Sequence, residues 1–261
     1  MFRSKLILGA ALVAGVAATQ IASAQAPTAT TAQSGGGLSV SPAILETTAR
    51  TGATGSATIT NSTNRKLKLT VRARPWRQSK TGTVAADRRR TLSTVRLSTR
   101  SFTLDPGAAR SVGVRLSRVP SRKSEYGALE VVGKPTKKRK GINVAYRLIS
   151  SMRFNPTSGA RKLRLGAGKA VVTGRGSSRA LAIKVRNRGN TIDEVGGSVD
   201  VSGSGGGRSG SIAKLRVLPG KVVNLRLIGI GGMKKGSYSA SVTLQQAGRN
   251  LVSVTRSFRI R

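Results

Sequence analysis

Lys134-Pro-Thr-Lys-Lys-Arg-Lys-Gly-Ile-Asn-Val-Ala-Tyr-Arg-Leu-Ile-Ser-Ser-Met-Arg-Phe-Asn-Pro156 sets a cationic loop directly before a long apolar-alternating segment. From Gly141 on, Ile142, Val144, Tyr146 and Leu148 alternate with Asn143, Ala145, Arg147 and Ile149. A period of two puts one apolar row on one face of a sheet. The strand passes through Ser150 and Ser151, resumes at Met152 and Phe154, and stops at Pro156. It lies between two β-rich halves, so it is expected to close the first unit and lead into the second.

Working outward on the N-terminal side, Ser56–Asn61, Leu67–Ala73 (continuing to Trp76), Val95–Leu97, Ser101–Leu104, Ser111–Leu116 and Tyr126–Val132 read as strands. Leu38–Ile44 reads as a short strand interrupted by Pro42, as edge strands often are. Lys80–Arg90, with three consecutive arginines, reads as a loop. On the C-terminal side, strands are expected at Leu163–Leu165, Lys169–Thr173, Ala180–Arg186, Ser198–Val201, Ile212–Leu218, Val222–Ile228, Tyr238–Leu244 and Val252–Ile260. Short strands with turns every eight to twelve residues indicate β-sandwiches. No segment carries a helical period longer than two turns.

The halves repeat one another. Leu104-Asp-Pro-Gly107 before Val112-Gly-Val-Arg-Leu116 matches Leu218-Pro-Gly220 before Val223-Asn-Leu-Arg-Leu227. Each half has a strand ending in an Asn-rich turn, at Asn61 and at Asn187. Tyr126 and Tyr238 occupy matching places, where a tyrosine-corner residue would sit. The reading is an all-β chain of two tandem Ig-like sandwiches, 38–157 and 158–261.

The first residues differ. Met1-Phe-Arg-Ser-Lys5 is a positive start, Leu6–Ala18 an apolar run, and Ala22-Ser-Ala24 a small-x-small cleavage pattern. These predict a signal peptide over 1–24 and an exported protein, periplasmic or extracellular and cell-surface associated. The apolar run is shorter than the ~20 residues a span needs, so no transmembrane anchor is expected. Residues 25–37, rich in Ala, Thr, Gln and Gly, read as a flexible linker.

Composition removes several chemistries. The chain has no Cys and no His. Disulfides, Ser-His-Asp triads, Cys nucleophiles and zinc or haem sites built on those ligands are excluded. No cofactor is expected. Aromatics make up 3% of residues, so the cores must rest on Val, Leu, Ile and Ala. The only acidic cluster, Asp193-Glu194 with Asp200, reads either as a loose Ca²⁺ site or as a solvated turn balancing Arg186 and Arg188. Gly203-Ser-Gly-Gly-Gly207 lacks the Lys-Ser/Thr and helix of a phosphate loop. An enzyme is therefore not expected.

Lys and Arg number 47 against 8 Asp and Glu, a net charge of +39. Such a chain attracts polyanions. The densest run, Lys137-Lys138-Arg139-Lys140, fits an anionic envelope polymer or a simple solvated loop. Specific nucleic-acid binding is disfavoured, because no aromatic stacking platform is visible.

The first half, about 38–156, resembles the N-terminal domain of the PapD-like periplasmic (fimbrial) chaperones. The resemblance is carried by the order of features: Ser56–Asn61 ending in Asn-Ser, Arg74-Pro-Trp76, Phe102–Gly107 before Ser111–Leu116, then Tyr126–Val132 leading through a basic loop to the strand ending in Arg153-Phe-Asn-Pro156. The second half resembles a generic Ig-like module. In that family the last strand of the first domain lends its alternating hydrophobics to an incomplete pilus subunit. The resemblance implies Ile142, Val144, Tyr146 and Leu148 as the partner-binding strand and a secreted or surface protein subunit as partner. The family also anchors the subunit's terminal carboxylate on two basic residues; those positions fall near Ile44 and Ser151, and the nearby cations are Arg50, Arg147 and Arg153. The rival reading is a basic envelope protein, structural or adhesive, held on anionic surface polymers.

Overall fold

The computed structural model describes residues 36–137 and 140–261. The expected signal peptide and most of the linker lie outside the described residues, as do Lys138 and Arg139. Seventeen strands and two single 3-10 turns make up the described fold. The strands are β1 (Leu38–Ser41), β2 (Ile44–Thr48), β3 (Thr54–Asn61), β4 (Leu67–Gln78), β5 (Val84–Ala86), β6 (Val95–Leu97), β7 (Ser101–Leu104), β8 (Ala109–Leu116), β9 (Glu125–Pro135) and β10 (Tyr146–Asn155). There follow β11 (Leu165–Thr173), β12 (Ala180–Asn187), β13 (Glu194–Gly203), β14 (Arg208–Arg216), β15 (Val222–Gly229), β16 (Gly236–Gln246) and β17 (Arg249–Ile260).

In the first sandwich, a sheet of order β1-β3-β8-β6 faces a sheet of order β2-β10-β9-β4-β5, with β7 also on β4. In the second, β11-β12-β15 faces β14-β13-β16-β17. The alternation expected from sequence is what buries each core. Ile59, Leu67, Leu69, Leu116, Leu129, Met152 and Phe154 are fully buried in the first, and Leu181, Ile183, Leu244 and Ile260 in the second. Among the described residues, no helix is long and apolar enough to cross a membrane.

Several expected boundaries move. The segment around Pro42 is two strands rather than one: β1 pairs with β3, and β2 crosses to lie parallel to β10 in the facing sheet. Proline lacks the N–H that would continue one ladder, and the chain changes sheets there. The Lys80–Arg90 loop contains β5, paired with Trp76–Gln78. Leu165 joins Lys169–Thr173 in β11, with a bulge between Ala167 and Ala170, while Leu163 and Arg164 precede the strand. The Gly/Ser loop shrinks to a short turn between β13 and β14. A Cβ on Gly205 would meet the Tyr238 hydroxyl at 2.1 Å, so the glycines there serve packing.

The repeat in the sequence is a repeat in hydrogen bonding. Asn61 is fully buried at the end of β3, with Nδ2 within 3.1 Å of the carbonyl oxygens of Arg65, Leu104 and Asp105. Its Oδ1 accepts from the Thr63 backbone N–H and hydroxyl. Asn187, equally buried at the end of β12, donates to the carbonyls of Thr191 (2.8 Å) and Val217 (2.7 Å) and accepts from the Gly189 N–H. Each asparagine's main chain also closes on the matching Pro-Gly turn: Gly107 N–H donates to Asn61 O, and Gly220 N–H to Asn187 O. Both glycines sit at positive φ, +75° and +77°, which a side chain rarely adopts.

Tyr238 behaves as the tyrosine corner expected, its hydroxyl donating to Lys234 O at 2.8 Å. Tyr126 does not. Its hydroxyl lies 3.0 Å from Asn155 Oδ1 and 3.3 Å from Asn190 O, so it joins the two sandwiches. Gln78 does the same, donating to Arg216 O and accepting from Leu218 N–H.

On the outer face of the larger sheet, Glu130 is buried between two arginines, 2.8 Å from Arg74 Nε and 2.7 Å from Arg147 Nε. Burial pushes its pKa up, but hydrogen bonds and charge from Arg74 and Arg147 outweigh that and hold the carboxyl below its ordinary value. Arg74 is itself buried and also donates to Arg90 O.

Two predictions concern these buried polar groups. Asn61→Ala or Asn187→Ala leaves several carbonyls and an N–H without partners, and denaturant unfolding should show a loss of about 3 kcal/mol for each. The isosteric Asn61→Asp should be no better, since it sets a carboxylate against carbonyl oxygens. Glu130→Gln leaves the Arg74 guanidinium buried without its counter-charge and should cost about 3–5 kcal/mol near neutral pH. The Glu130 pKa is depressed on folding, so its stabilisation is present above the unfolded carboxyl pKa of about 4.3 and is lost as pH falls through the lower folded value. Unfolding curves across acid pH should therefore fall less steeply for the Gln variant than for the wild type.

Candidate functional site

The candidate site is the first half of β10 with the loop that feeds it. β9 ends at Pro135, and the Thr136 N–H caps Lys66 O. The Arg65 guanidinium reaches over to accept the loop: it donates to Lys137 O and to Asn143 Oδ1. Asn143 Nδ2 in turn donates to Gly141 O at 3.2 Å, and Gly141 sits at φ +91°, facing open space. Lys137 and Lys140 project into solvent, whereas Lys138 and Arg139 lie outside the described residues.

The alternating row divides in a way the sequence did not indicate. The strand starts at Tyr146, four residues later than the pattern suggests. Ile142, 91% exposed, and Val144, 50% exposed, precede it outside the strand. Tyr146 and Leu148 are half-buried and pack on the first core. The same face continues through buried Ser150 to Met152 and Phe154. Alternation alone does not distinguish a residue facing its own core from one facing empty space.

Pairing along β10 is equally uneven. On one side β9 matches it from Tyr146 to Phe154. On the other, β2 joins only from Ser151 to Asn155. Ser150 Oγ and Ser151 N–H hold the Pro42-Ala43 corner where β2 begins. Among the described residues, no strand pairs with the β2-side edge of Tyr146–Ile149. A sheet edge with unpaired N–H and C=O groups is a template for another strand.

The resemblance places two basic positions near Ile44 and Ser151, neither of which is basic. Ile44 and Ser151 are register partners across β2 and β10. Arg147 is engaged by Glu130, and Arg153 faces Glu46 at 3.6 Å. The Arg153 Nε is buried with no hydrogen-bond partner. Arg50 is exposed. Burial pushes the Tyr126 phenol above its ordinary pKa, so it stays a neutral donor beside Asn155.

The acidic cluster is not assembled. Thr191 Oγ1 donates to Asp193, while Glu194 pairs with Lys214 and Arg216 rather than with Arg186 and Arg188. Among the described residues, no group of three or more potential metal ligands comes together. Sequence reading missed a different feature: a cleft of about 880 Å³ on the opposite face of β10, beneath the β4–β5 hairpin. Its signal was present in Trp76 and the Arg88-Arg89-Arg90 run, but the hairpin that brings them over Ile149 was read as loop.

No protein-family model and no curated protein matches this sequence. Solved structures do. A chain of the chaperone–tip adhesin complex of CFA/I fimbriae biogenesis matches with a TM-score of 0.51 at 12% identity, over 85% of this chain and 98% of that one. The class 5 fimbriae chaperone CfaA matches with a TM-score of 0.49 at 11% identity, over 85% and 98%. The E. coli chaperone DraB matches with a TM-score of 0.45 at 12% identity, over 86% and 98%. At such identities the likeness is one of fold. The chain has the two-sandwich fold of the PapD-like fimbrial chaperones.

Proposed function

We propose that this chain is an exported, non-enzymatic assembly factor that captures a secreted or surface protein subunit by strand addition. The observation that carries the proposal is the edge of Tyr146–Ile149, which among the described residues has no strand partner on the side where β2 stops at Ser151. A partner strand laid there would receive main-chain hydrogen bonds from β10. Ile142 and Val144 are free to enter the partner's apolar groove, and Tyr146 and Leu148 add their outward parts while staying seated on their own core. In this reading the exposed Lys137 and Lys140 add cationic charge beside this edge. In this reading 38–157 and 158–261 are the two domains, and Tyr126 and Gln78 hold them at a set angle.

The absence of basic residues at Ile44 and Ser151 makes capture depend on the strand rather than on a carboxylate clamp. That places the energy in exposed apolar side chains, each contributing about 1.5–3 kcal/mol when fully buried.

The test is Ile142→Asp with Val144→Asp. Both side chains are exposed and neither packs on the first core, so melting temperature should change little. Co-purification of envelope subunits with the tagged chain from its native host should fall at least about tenfold. In the wild-type complex, amide exchange should slow at Tyr146–Ile149. Undiminished recovery of the same subunits by the double variant would sink the proposal.

A further inference from the structure

The cleft under the β4–β5 hairpin has two chemistries in one place. Its floor is apolar: Trp76 on β4, Val84 and Ala85 on β5, and Ile149 on β10. Val84 and Ile149 are among the exposed large hydrophobics of the chain, at 38% and 36%. Its rim is cationic, formed by Arg77, Arg88, Arg89, Arg90 and Arg147.

The rim is held in place by main-chain bonds. Asp87 N–H donates to Pro75 O, Arg90 N–H to Asp87 O, and Leu92 N–H to Ala73 O. Asp87 Oδ1 accepts from the Arg89 N–H, and Arg74 donates to Arg90 O from below. The hairpin tip is fixed in turn by Gln78, bonded to Arg216 O and Leu218 N–H. Three consecutive arginines are therefore kept together on a braced turn despite mutual repulsion.

The charges there are not balanced from within. Asp87 is the one carboxylate lining the cleft. Among the described residues, the side chains of Arg77, Arg88, Arg89 and Arg90 make no ion pair with any carboxylate. Glu130 lies between Arg74 and Arg147, so one carboxylate there serves two guanidiniums.

We infer that this cleft is a second binding site, for an acidic polypeptide segment carrying at least one apolar side chain. Carboxylates pair with the guanidinium rim, where bidentate geometry favours arginine. The apolar side chain covers Trp76, Val84 and Ile149. A purely ionic polymer would leave that floor uncovered. A single-stranded nucleic acid needs successive aromatic platforms, and the cleft holds one half-buried tryptophan. The site is independent of strand capture. Arg147 and Ile149 point to the opposite face of β10 from Tyr146 and Leu148, because successive residues of a strand alternate.

The experiment uses fluorescence anisotropy with the fluorescein-labelled peptide Gly-Asp-Leu-Asp-Glu-Val-Asp-Gly and the exported chain at physiological ionic strength. Arg88→Ser with Arg89→Ser and Arg90→Ser should weaken binding at least about tenfold, the sum of three partly exposed charge pairs. The charge-matched control Lys234→Ser with Lys235→Ser and Arg249→Ser, on exposed positions of the second sandwich, should leave binding within about twofold. Ile142→Ser with Val144→Ser should also leave it unchanged, which separates this site from the capture edge. A peptide with Leu and Val replaced by Ser should bind several-fold more weakly. The inference is overturned if the wild-type chain does not bind the peptide or if the control loses as much as the Arg88–Arg90 variant. It is also overturned if the Ser-substituted peptide, or an oligothymidylate of equal charge, binds as tightly.

Discussion

Each sandwich is closed by one buried asparagine. A β-sandwich buries its strand faces readily, but at its ends the chain must turn while carrying polar main-chain groups into the core's margin. Unpaired, such groups are costly. Asn61 and Asn187 supply both a donor and an acceptor at that margin, and each ties its own turn to the distant Pro-Gly turn. That link fixes β3 against β8 and β12 against β15, the pairings that lie next to it. No disulfide is available and aromatics are few, so these polar links supplement cores that are almost wholly aliphatic.

The register so fixed determines what remains for β10. Ser151 to Phe154 are paired on both sides, with Met152 and Phe154 in the core. From Tyr146 to Ser150 the strand is paired on one side, and Ile142 and Val144 lie before it begins. This grading follows from the length of β2, which begins only after the chain has changed sheets at Pro42. A longer β2 would cover the edge. The proline that reads in sequence as a flaw in an edge strand thus sets how much of β10 stays open.

Much of the fold was legible in the sequence. Alternation located most strands, and the Leu-(Asp)-Pro-Gly and Asn-turn repeats pointed to two units built alike. The hydrogen bonds of Asn61 and Asn187 give that repeat its physical content. What was not legible depended on partners distant in sequence. Period two placed Ile142, Val144, Tyr146 and Leu148 in one row, but only the end of β2 and the reach of the core separate the exposed pair from the seated pair. Tyr126 and Tyr238 occupy matching sequence positions, yet Asn155 and Asn190 draw the first toward the other sandwich, while Lys234 O holds the second. The arginine-rich cleft was hidden because a three-residue strand in a polar stretch carries too few residues for a period to show.

The charge of the chain takes on a narrower meaning once its acids are located. Of the eight carboxylates, Glu130, Glu46, Asp105 and Glu194 are ion-paired, Glu125 and Asp193 accept from Thr94 and Thr191, and Asp87 braces its own turn. Nearly every acidic group thus holds the fold in place, which leaves the remaining cations without internal counter-charges. Evenly spread, these cations would act as a screened, unspecific field. Two features set part of that field beside exposed apolar surface. The basic loop is tethered by Arg65 beside an open strand edge, and the three arginines are braced above an apolar floor. If these are the binding sites proposed above, attraction would steer a partner to them while burial of the apolar surface would decide which partner stays.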